Sequence, residues 1–312
     1  MKLLKLVPDN TNFDFMKWRN VALVLSILVT AASIALTAYR GLNLGIDFVG
    51  GQVVRATFAR PVSIEDLRNK VEQLNVGEAS IQEFGDNRTY QIRLPRPEGP
   101  EAAANQVVTA VRGMIEQQYP GAKVTAGESV SGKVSGELAW DGALAIGFAM
   151  LGIAVYIWFR FEWQFGVGAL VTLFHDIAMV LGFFAFTRLP VDLNVVAALL
   201  TIVGYSLNDT VVIYDRIREL LRRYKRMPIP ELLNASINST MTRSVNTHVT
   251  VTLALLAMYF FGGHAIHSFT ATMLFGVVLV GTYTSVFIAS PILIYLGVGT
   301  GRDSLSAPDR DK

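Results

Sequence analysis

Asp209 lies in the segment Gly204-Tyr205-Ser206-Leu207-Asn208-Asp209-Thr210, inside an apolar run long enough to cross a bilayer. At 1.5 Å per residue it falls about 24 Å along a span of 193–214, within the hydrocarbon. An unpaired charge at mid-bilayer costs at least ~3 kcal/mol even on the lenient insertion scale, so a carboxyl there needs a partner, water or a proton. Burial favours the neutral form of a carboxyl and a nearby cation favours the charged one, so a modest rearrangement can bind or release a proton. Asp209 therefore reads either as a proton carrier or as a packing residue bonded to Ser206, Asn208 or Thr210. Phe174-His175-Asp176 places a second carboxylate half-way along the preceding span, beside a histidine of a type that titrates near neutrality. Adjacent helix positions diverge by about 100°, so His175 and Asp176 are not expected to face one partner squarely. A polar contact between helices is the stronger of the two readings for this pair.

Arg243 is the natural counter-charge for Asp209. It stands where a basic stretch re-enters the membrane, in Asn234-Ala235-Ser236-Ile237-Asn238-Ser239-Thr240-Met241-Thr242-Arg243-Ser244. An arginine reaching up from the next span could approach a carboxylate one turn above the end of its own; equally, it could snorkel to phospholipid headgroups. The hydroxyls of Thr242, Thr247 and Thr250 could carry water or bond back to their own helix. The run from Asp215 to Arg226 is read as a solvated anchor on anionic lipid or as a docking site for a partner. His264 and His267 flank an outer turn without acidic or thiol companions, and Gly276 and Gly281 suit close helix packing.

The elements that must position these groups are mostly membrane spans. The 312 residues are 52% hydrophobic and 17% charged, with a mean hydropathy of +0.41, well short of the charge of a soluble domain. Apolar runs occur at about 20–39, 139–159, 165–187, 193–214, 247–263 and 266–298, about six spans. The first follows Lys17-Trp18-Arg19 and lacks a small-residue cleavage site, so it reads as an uncleaved anchor. Lys and Arg concentrate in the N-terminus, Arg160, the 215–246 stretch and the tail, whereas the opposite short loops carry only Arg188, which predicts both termini in the cytoplasm.

The expected organisation is an N-terminus and first span over 1–39, a periplasmic domain over 40–138, a five-helix bundle over 139–298 with a cytoplasmic basic loop at 215–246, and a tail over 299–312. Within the insert, alternation at Gln52–Phe58, Ala79–Phe84, Arg88–Leu94 and 122–131 predicts strands, and 63–74 and 101–118 read as helices. Ser63 with Asp66 three residues on is a capping-box pattern. The order βαββαβ predicts a ferredoxin-like α+β unit with helices on one sheet face, so the fold class is an α-helical polytopic membrane protein with that domain inserted. Residues 131–138, rich in Gly and Ser, read as a hinge or an ordinary connector. With 0 cysteines there is no disulfide or thiol chemistry. No G-x-S-x-G, Walker A, H-E-x-x-H or Rossmann glycine run is present, so no enzyme activity, cofactor or metal is expected, and the charge pattern argues against nucleic acid.

At Gly45-Ile46-Asp47-Phe48-Val49-Gly50-Gly51, just after the first span, the chain resembles the SecD/SecF family, in which GIDFxGG marks entry into the exported domain. Glycines there allow close backbone approach and positive φ, and Asp47 is suited to capping a local turn. Gly-Tyr-Ser-x-Asn-Asp-Thr-Val-Val-x-Tyr-Asp-Arg-Ile-Arg-Glu at 204–219, which holds Asn208 and Thr210, and Asn-x-Ser-x-x-x-Thr-x-x-Arg-Ser at 234–244 extend the resemblance over nearly the whole chain, to the SecF branch of that family. The family often has a Gly-Pro step before the second span, where Gly132-Lys133 stands here.

The resemblance implies a half-transporter of the resistance-nodulation-division type in a bacterial inner membrane. It implies a SecD partner, work beside the SecYEG channel, and YajC and YidC as further neighbours. It implies that unfolded secretory polypeptides are drawn outward by the proton motive force, and it places Asp209 and Arg243 at positions implicated in proton coupling. Protonation of Asp209, coupled to its approach to Arg243, would then swing the 40–138 domain. The rival readings are an efflux half-transporter of the same superfamily and a purely structural subunit.

Overall fold

The structure, a computed structural model, describes residues 7–8, 11–74, 76, 79–95, 101–263 and 266–299. His264 and the tail beyond Gly299 lie outside them. In chain order the elements are α1 (Arg19–Arg40), α2 (Ile46–Val49), β1 (Gly51–Thr57), α3 (Ile64–Glu72), β2 (Ser80–Phe84), β3 (Asp86–Leu94), α4 (Glu101–Gln118), β4 (Lys123–Val130), α5 (Gly132–Arg160), α6 (Trp163–Thr187), α7 (Leu193–Arg223), α8 (Ile229–Phe261) and α9 (His267–Tyr295). Six of the helices, α1 and α5 to α9, are long and apolar enough to cross a membrane. Contacts divide the chain into a helical unit, built on residues up to Asn43, Ala145–Leu189 and from Asn194 on, and an α+β unit of Leu44–Leu144 with Pro190–Leu193.

In the helical unit, α6, α7 and α9 bury half or more of their apolar windows, whereas α1, α5 and α8 leave most of theirs exposed, as lipid- or partner-facing helices do. Close approach rests on small residues. A Cβ at Gly182 of α6 would lie 2.5 Å from the Cβ and 3.0 Å from the Cα of Ser33 on α1, so these backbones meet where only glycine fits. Leu274–Gly281 and Ser285–Ala289 of α9 are wound as π-helix. Pro291, with no N–H to donate to the turn before it, follows directly, and such widened turns re-aim side chains and gather at functional sites.

Two connectors expected from composition are helical instead. Residues 132–138 form the first turns of α5: the Val134 N–H donates to Ser131 Oγ at 3.3 Å and the Ser135 N–H to the Ser131 carbonyl at 2.9 Å. Gly132 sits beside this cap, where a glycine costs little, so the proposed hinge is a helix start. The basic loop at 215–246 is likewise the end of α7, a turn at 224–228 and the start of α8. Its asparagines hold the N-terminal segment. Asn238 Oδ1 accepts the Phe13 N–H and its Nδ2 donates to the Phe13 carbonyl, each at 2.9 Å, while Asn234 Oδ1 accepts the Met16 N–H at 3.0 Å.

The α+β unit is a four-stranded antiparallel sheet in the order β2-β3-β1-β4, the split arrangement expected of βαββαβ. Val54, Ala56, Tyr90, Ile92 and Leu94 point from alternate positions into a core with Leu67 and Val71 of α3 and Val111 and Ile115 of α4. Ser63 stands at the N-cap of α3 but makes no side-chain cap bond, so the capping box does not form. Asp66 is engaged elsewhere: the Tyr119 hydroxyl donates to its Oδ2 at 2.6 Å, and Lys70 Nζ lies 3.1 Å from the same oxygen. The Tyr119 hydrogen bond, aided by Lys70, holds the Asp66 carboxyl below its ordinary 3.8.

Candidate functional site: a polar core among apolar helices

Asp176, near the middle of α6, is completely buried. Ser206 Oγ on α7 donates to its Oδ2 at 2.5 Å, and Thr284 Oγ1 on α9 lies 2.7 Å from its Oδ1. His175 Nδ1 stands 3.3 Å from the same Oδ1 and 3.5 Å from Thr284 Oγ1. The two neighbours on α6, expected to diverge, therefore converge on one hydroxyl. Thr284 Oγ1 is also 2.7 Å from the Val280 carbonyl, yet a hydroxyl has one proton to give. When that proton goes to Val280, the contact with Oδ1 needs a proton on the carboxyl; when it goes to Oδ1, the carboxylate is satisfied as an ion.

Asp209 lies three residues beyond Ser206 and is mostly buried, its side chain 13% exposed. Its expected partners Ser206, Asn208 and Thr210 do not serve it. Ser206 is taken by Asp176, Asn208 is exposed, and the buried Thr210 hydroxyl has no partner among the described residues. Ser244 Oγ on α8 donates to Asp209 Oδ1 at 2.5 Å. His248 Nε2 lies 3.9 Å from Oδ2, and its Nδ1 is 3.1 Å from Thr282 Oγ1. Thr282 Oγ1 is also 2.8 Å from the Val278 carbonyl, to which it can donate its one proton. Nδ1 is then the imidazole donor, and Nε2 faces the Asp209 carboxyl with a lone pair or a second proton. His248, one turn beyond Ser244 on α8, carries no signal in the sequence beyond its type. It becomes visible only once α7, α8 and α9 are packed.

Arg243 does not meet Asp209 in this arrangement. Its side chain is exposed and makes no ion pair among the described residues. Ser244 and His248 share the inward face of α8, and one residue of helix turns Arg243 about 100° from it. Thr242, Asn246 and Thr250 are exposed with it, and Thr201, Gly204 and Asn208 form a similar exposed row on α7. The Thr247 and Thr250 hydroxyls bond back to their own helix, Thr247 to the Arg243 carbonyl at 2.8 Å. His267 stacks on Tyr259 with ring centroids 4.9 Å apart, and its Nε2 lies 2.9 Å from the Tyr259 carbonyl.

The GIDFVGG segment has a structural task within the α+β unit. Gly45 N–H donates to the Val191 carbonyl at 2.7 Å, and a Cβ there would sit 3.0 Å from that oxygen. Asp47 Oδ2 accepts the N–H of Leu193, the first residue of α7, at 2.9 Å. Asp47 thus caps a distant helix instead of a local turn, with the negative group favoured at a helix N-terminus. Burial draws the Arg93 guanidinium below its ordinary value, opposed by the carboxylates of Asp192 and Asp47. Gly50 and Gly51 adopt φ of +73° and +130°, and a Cβ at Gly51 would lie 2.6 Å from the Leu94 carbonyl, so a side chain is barred twice.

Residues 110–299 match the family described as protein export membrane protein SecD/SecF, C-terminal, and residues 40–62 match the SecD/SecF GG motif, which contains the Asp47 cap. Protein translocase subunit SecF of Rhodobacter capsulatus is 40% identical over 319 residues, covering 98% of this chain and 96% of its own length. The subunit of the same name from Rickettsia conorii is 40% identical over 93% of this chain and 94% of its own. Among solved structures, SecDF from Thermus thermophilus, a translocon-associated membrane protein, matches with a TM-score of 0.84 at 31% identity. The match covers 93% of this chain and 39% of that longer one, and SecDF in a super-membrane-facing form matches at 0.66 and 29% identity. A helical core of six spans, a split βαββαβ insert and a GG segment that caps one of the spans are joined here in one multi-pass membrane protein, and the chain belongs to the SecD/SecF family of protein export membrane proteins.

Proposed function

We propose that this chain is the SecF half of a proton-driven export machine, in which Asp209 takes up and releases the coupling proton. The observation that carries this reading is the Asp209 carboxyl, set mid-span with the imidazole of His248 facing it and the Ser244 hydroxyl upon it. A charged or neutral carboxyl there can each find a partner, which a fixed ion pair does not allow. Asp176, sealed and fully bonded, serves as the structural carboxyl that seats α7 against α6 and α9, with His175 beside it.

Arg243 and the exposed polar rows of α7 and α8 are read as the face presented to a SecD-type partner half, since polar side chains left against lipid are costly. Arg243 then meets an acid on the partner or, in another arrangement, Asp209. Both termini lie in the cytoplasm and the α+β unit outside, where the sheet edges β2 and β4 suit strand addition by an unfolded secretory polypeptide emerging from SecYEG. YajC and YidC are further candidate neighbours. The chain acts as a transport component, not an enzyme.

The test is proton-gradient-stimulated export of a secretory precursor into inverted vesicles, wild type against Asp209→Asn at matched subunit levels. Loss of stimulation with assembly intact is expected; unchanged stimulation would return Asp209 to packing. With 0 native cysteines, a single Cys at Asn246 tests the partner face by crosslinking.

A further inference from the structure

Arg160 ends α5, and Arg218, Arg222 and Arg223 lie in the last turns of α7. Together with Asp215 and Glu219 they line an open cleft of about 480 Å³. The two acids are already engaged. Arg160 Nη2 reaches both oxygens of Asp215, at 3.0 and 3.2 Å, and Arg216 Nη1 lies 2.5 Å from Glu219 Oε2. Arg218 is held too: its Nη1 donates to the Arg160 carbonyl at 3.3 Å, and both guanidiniums lie against the Phe161 ring, Arg160 at 5.0 Å and Arg218 at 5.2 Å from its centroid. Arg222 and Arg223 have no acidic partner among the described residues and remain exposed at the cleft.

The cleft thus has four guanidiniums against two spent carboxylates, with its rigid part preset by Phe161 and Asp215. Trp158, Phe159 and Trp163, all exposed, stand on the neighbouring ends of α5 and α6, as aromatic residues do at the headgroup level of a bilayer. The geometry points to a binding site for the phosphodiester headgroup of one anionic phospholipid, seated by the planar forks of Arg222 and Arg223 with its acyl chains along the exposed apolar faces of α5 and α6. This differs from diffuse attraction of a basic segment to a charged surface. The site selects two of the arginines, whereas diffuse attraction counts Lys225 and Arg226 in the adjoining turn equally.

The test uses the full purified chain in detergent, titrated with dioleoyl-phosphatidylglycerol or dioleoyl-phosphatidylcholine, with native mass spectrometry to count retained lipid. Wild type is expected to retain one phosphatidylglycerol in preference to phosphatidylcholine. Each cation near the headgroup contributes about a factor of five, so Arg222→Gln with Arg223→Gln is expected to weaken retention about 30-fold, while Lys225→Gln with Arg226→Gln, the same change in net charge, leaves it nearly unchanged. Equal loss in both pairs would overturn the site in favour of diffuse attraction. Displacement of the lipid by millimolar inorganic phosphate would overturn it in favour of a soluble anion. If the Gln pair fails to fold, Arg222→Lys with Arg223→Lys makes the comparison, and retention undiminished without the planar forks would also overturn it.

Discussion

Replacing Asp176 separates the two ways its carboxyl can be held. In Asp176→Asn the amide oxygen accepts the Ser206 proton, the amide nitrogen donates to Thr284 Oγ1, and Thr284 gives its own proton to the Val280 carbonyl 2.7 Å away. Every polar group keeps a partner, so the expected cost is below about 1 kcal/mol. In Asp176→Ala, Thr284 still has Val280, but the buried Ser206 hydroxyl loses its acceptor and a cavity replaces the carboxyl. An orphaned buried hydroxyl costs about 1–3 kcal/mol, and the missing atoms add to it. Interhelical hydrogen bonds in bilayers average only about 0.6 kcal/mol, so the lower half of that range is expected. Thermal unfolding of the purified chain in one detergent, followed by aggregation onset, ranks the three proteins as wild type, Asn close behind, Ala clearly lower. If Asn unfolded as early as Ala, the site would require an ionised carboxylate, and the exchange of protons through Thr284 would be refuted.

Other perturbations test the frame around this core. Gly182→Val drives a side chain into the Ser33 backbone on α1, so overpacking is expected to cost about 1–3 kcal/mol in the same unfolding assay, whereas Gly276→Ala meets the Ile202 side chain but no backbone and should cost less. Asp47→Ala removes the cap on Leu193, a loss of about 1 kcal/mol of helix-end stability, read as faster hydrogen exchange at the first turn of α7; Asp47→Asn should retain most of it. Because the Asp66 carboxyl is held below its ordinary 3.8, the stability it lends α3 and α4 is present above about pH 4 and lost as pH falls through the lowered value. Hydrogen exchange of those helices should therefore quicken in acid in wild type, with a flatter pH dependence in Asp66→Asn; identical slopes would contradict the Tyr119 clamp.

The spans and the insert were legible because their signals are local and repeated. Apolar runs, period-two strands and the βαββαβ order recur at the expected places, and helix α4 spans 101–118 as its pattern predicts. What failed were inferences that treated composition as conformation. Gly132, Ser135 and Gly136 read as a hinge, but a serine at the preceding position offers a helix cap, and the chain takes it. Ser63 and Asp66 fit a capping box, yet a tyrosine 53 residues away competes for the carboxylate and wins it. The two membrane carboxyls were legible because their cost in lipid makes them conspicuous. Their partners were not: Ser244, His248 and Thr284 are ordinary residues of apolar helices until α8 and α9 are packed against α7. Arg243 was the attractive guess because charge invites charge, and one residue of helix turns it about 100° away from the face that Ser244 and His248 share.

The lining of this core bears on whether it can serve a proton cycle. A carboxylate paired with a buried arginine is stabilised in one state only, and protonating it leaves a buried cation alone at a cost of several kcal/mol. The groups around Asp176 and Asp209 are instead hydroxyls and imidazoles, each able to donate or accept. Thr284 and Thr282 each have a second acceptor on their own helix, at Val280 and Val278, so a hydroxyl can turn away from a carboxyl or imidazole without being orphaned. Arrival or departure of a proton then needs only rotations about Cβ–Oγ bonds, with the backbone of α9 unmoved. In this arrangement Arg243 is exposed on α8, so its charge does not enter the contacts around Asp209.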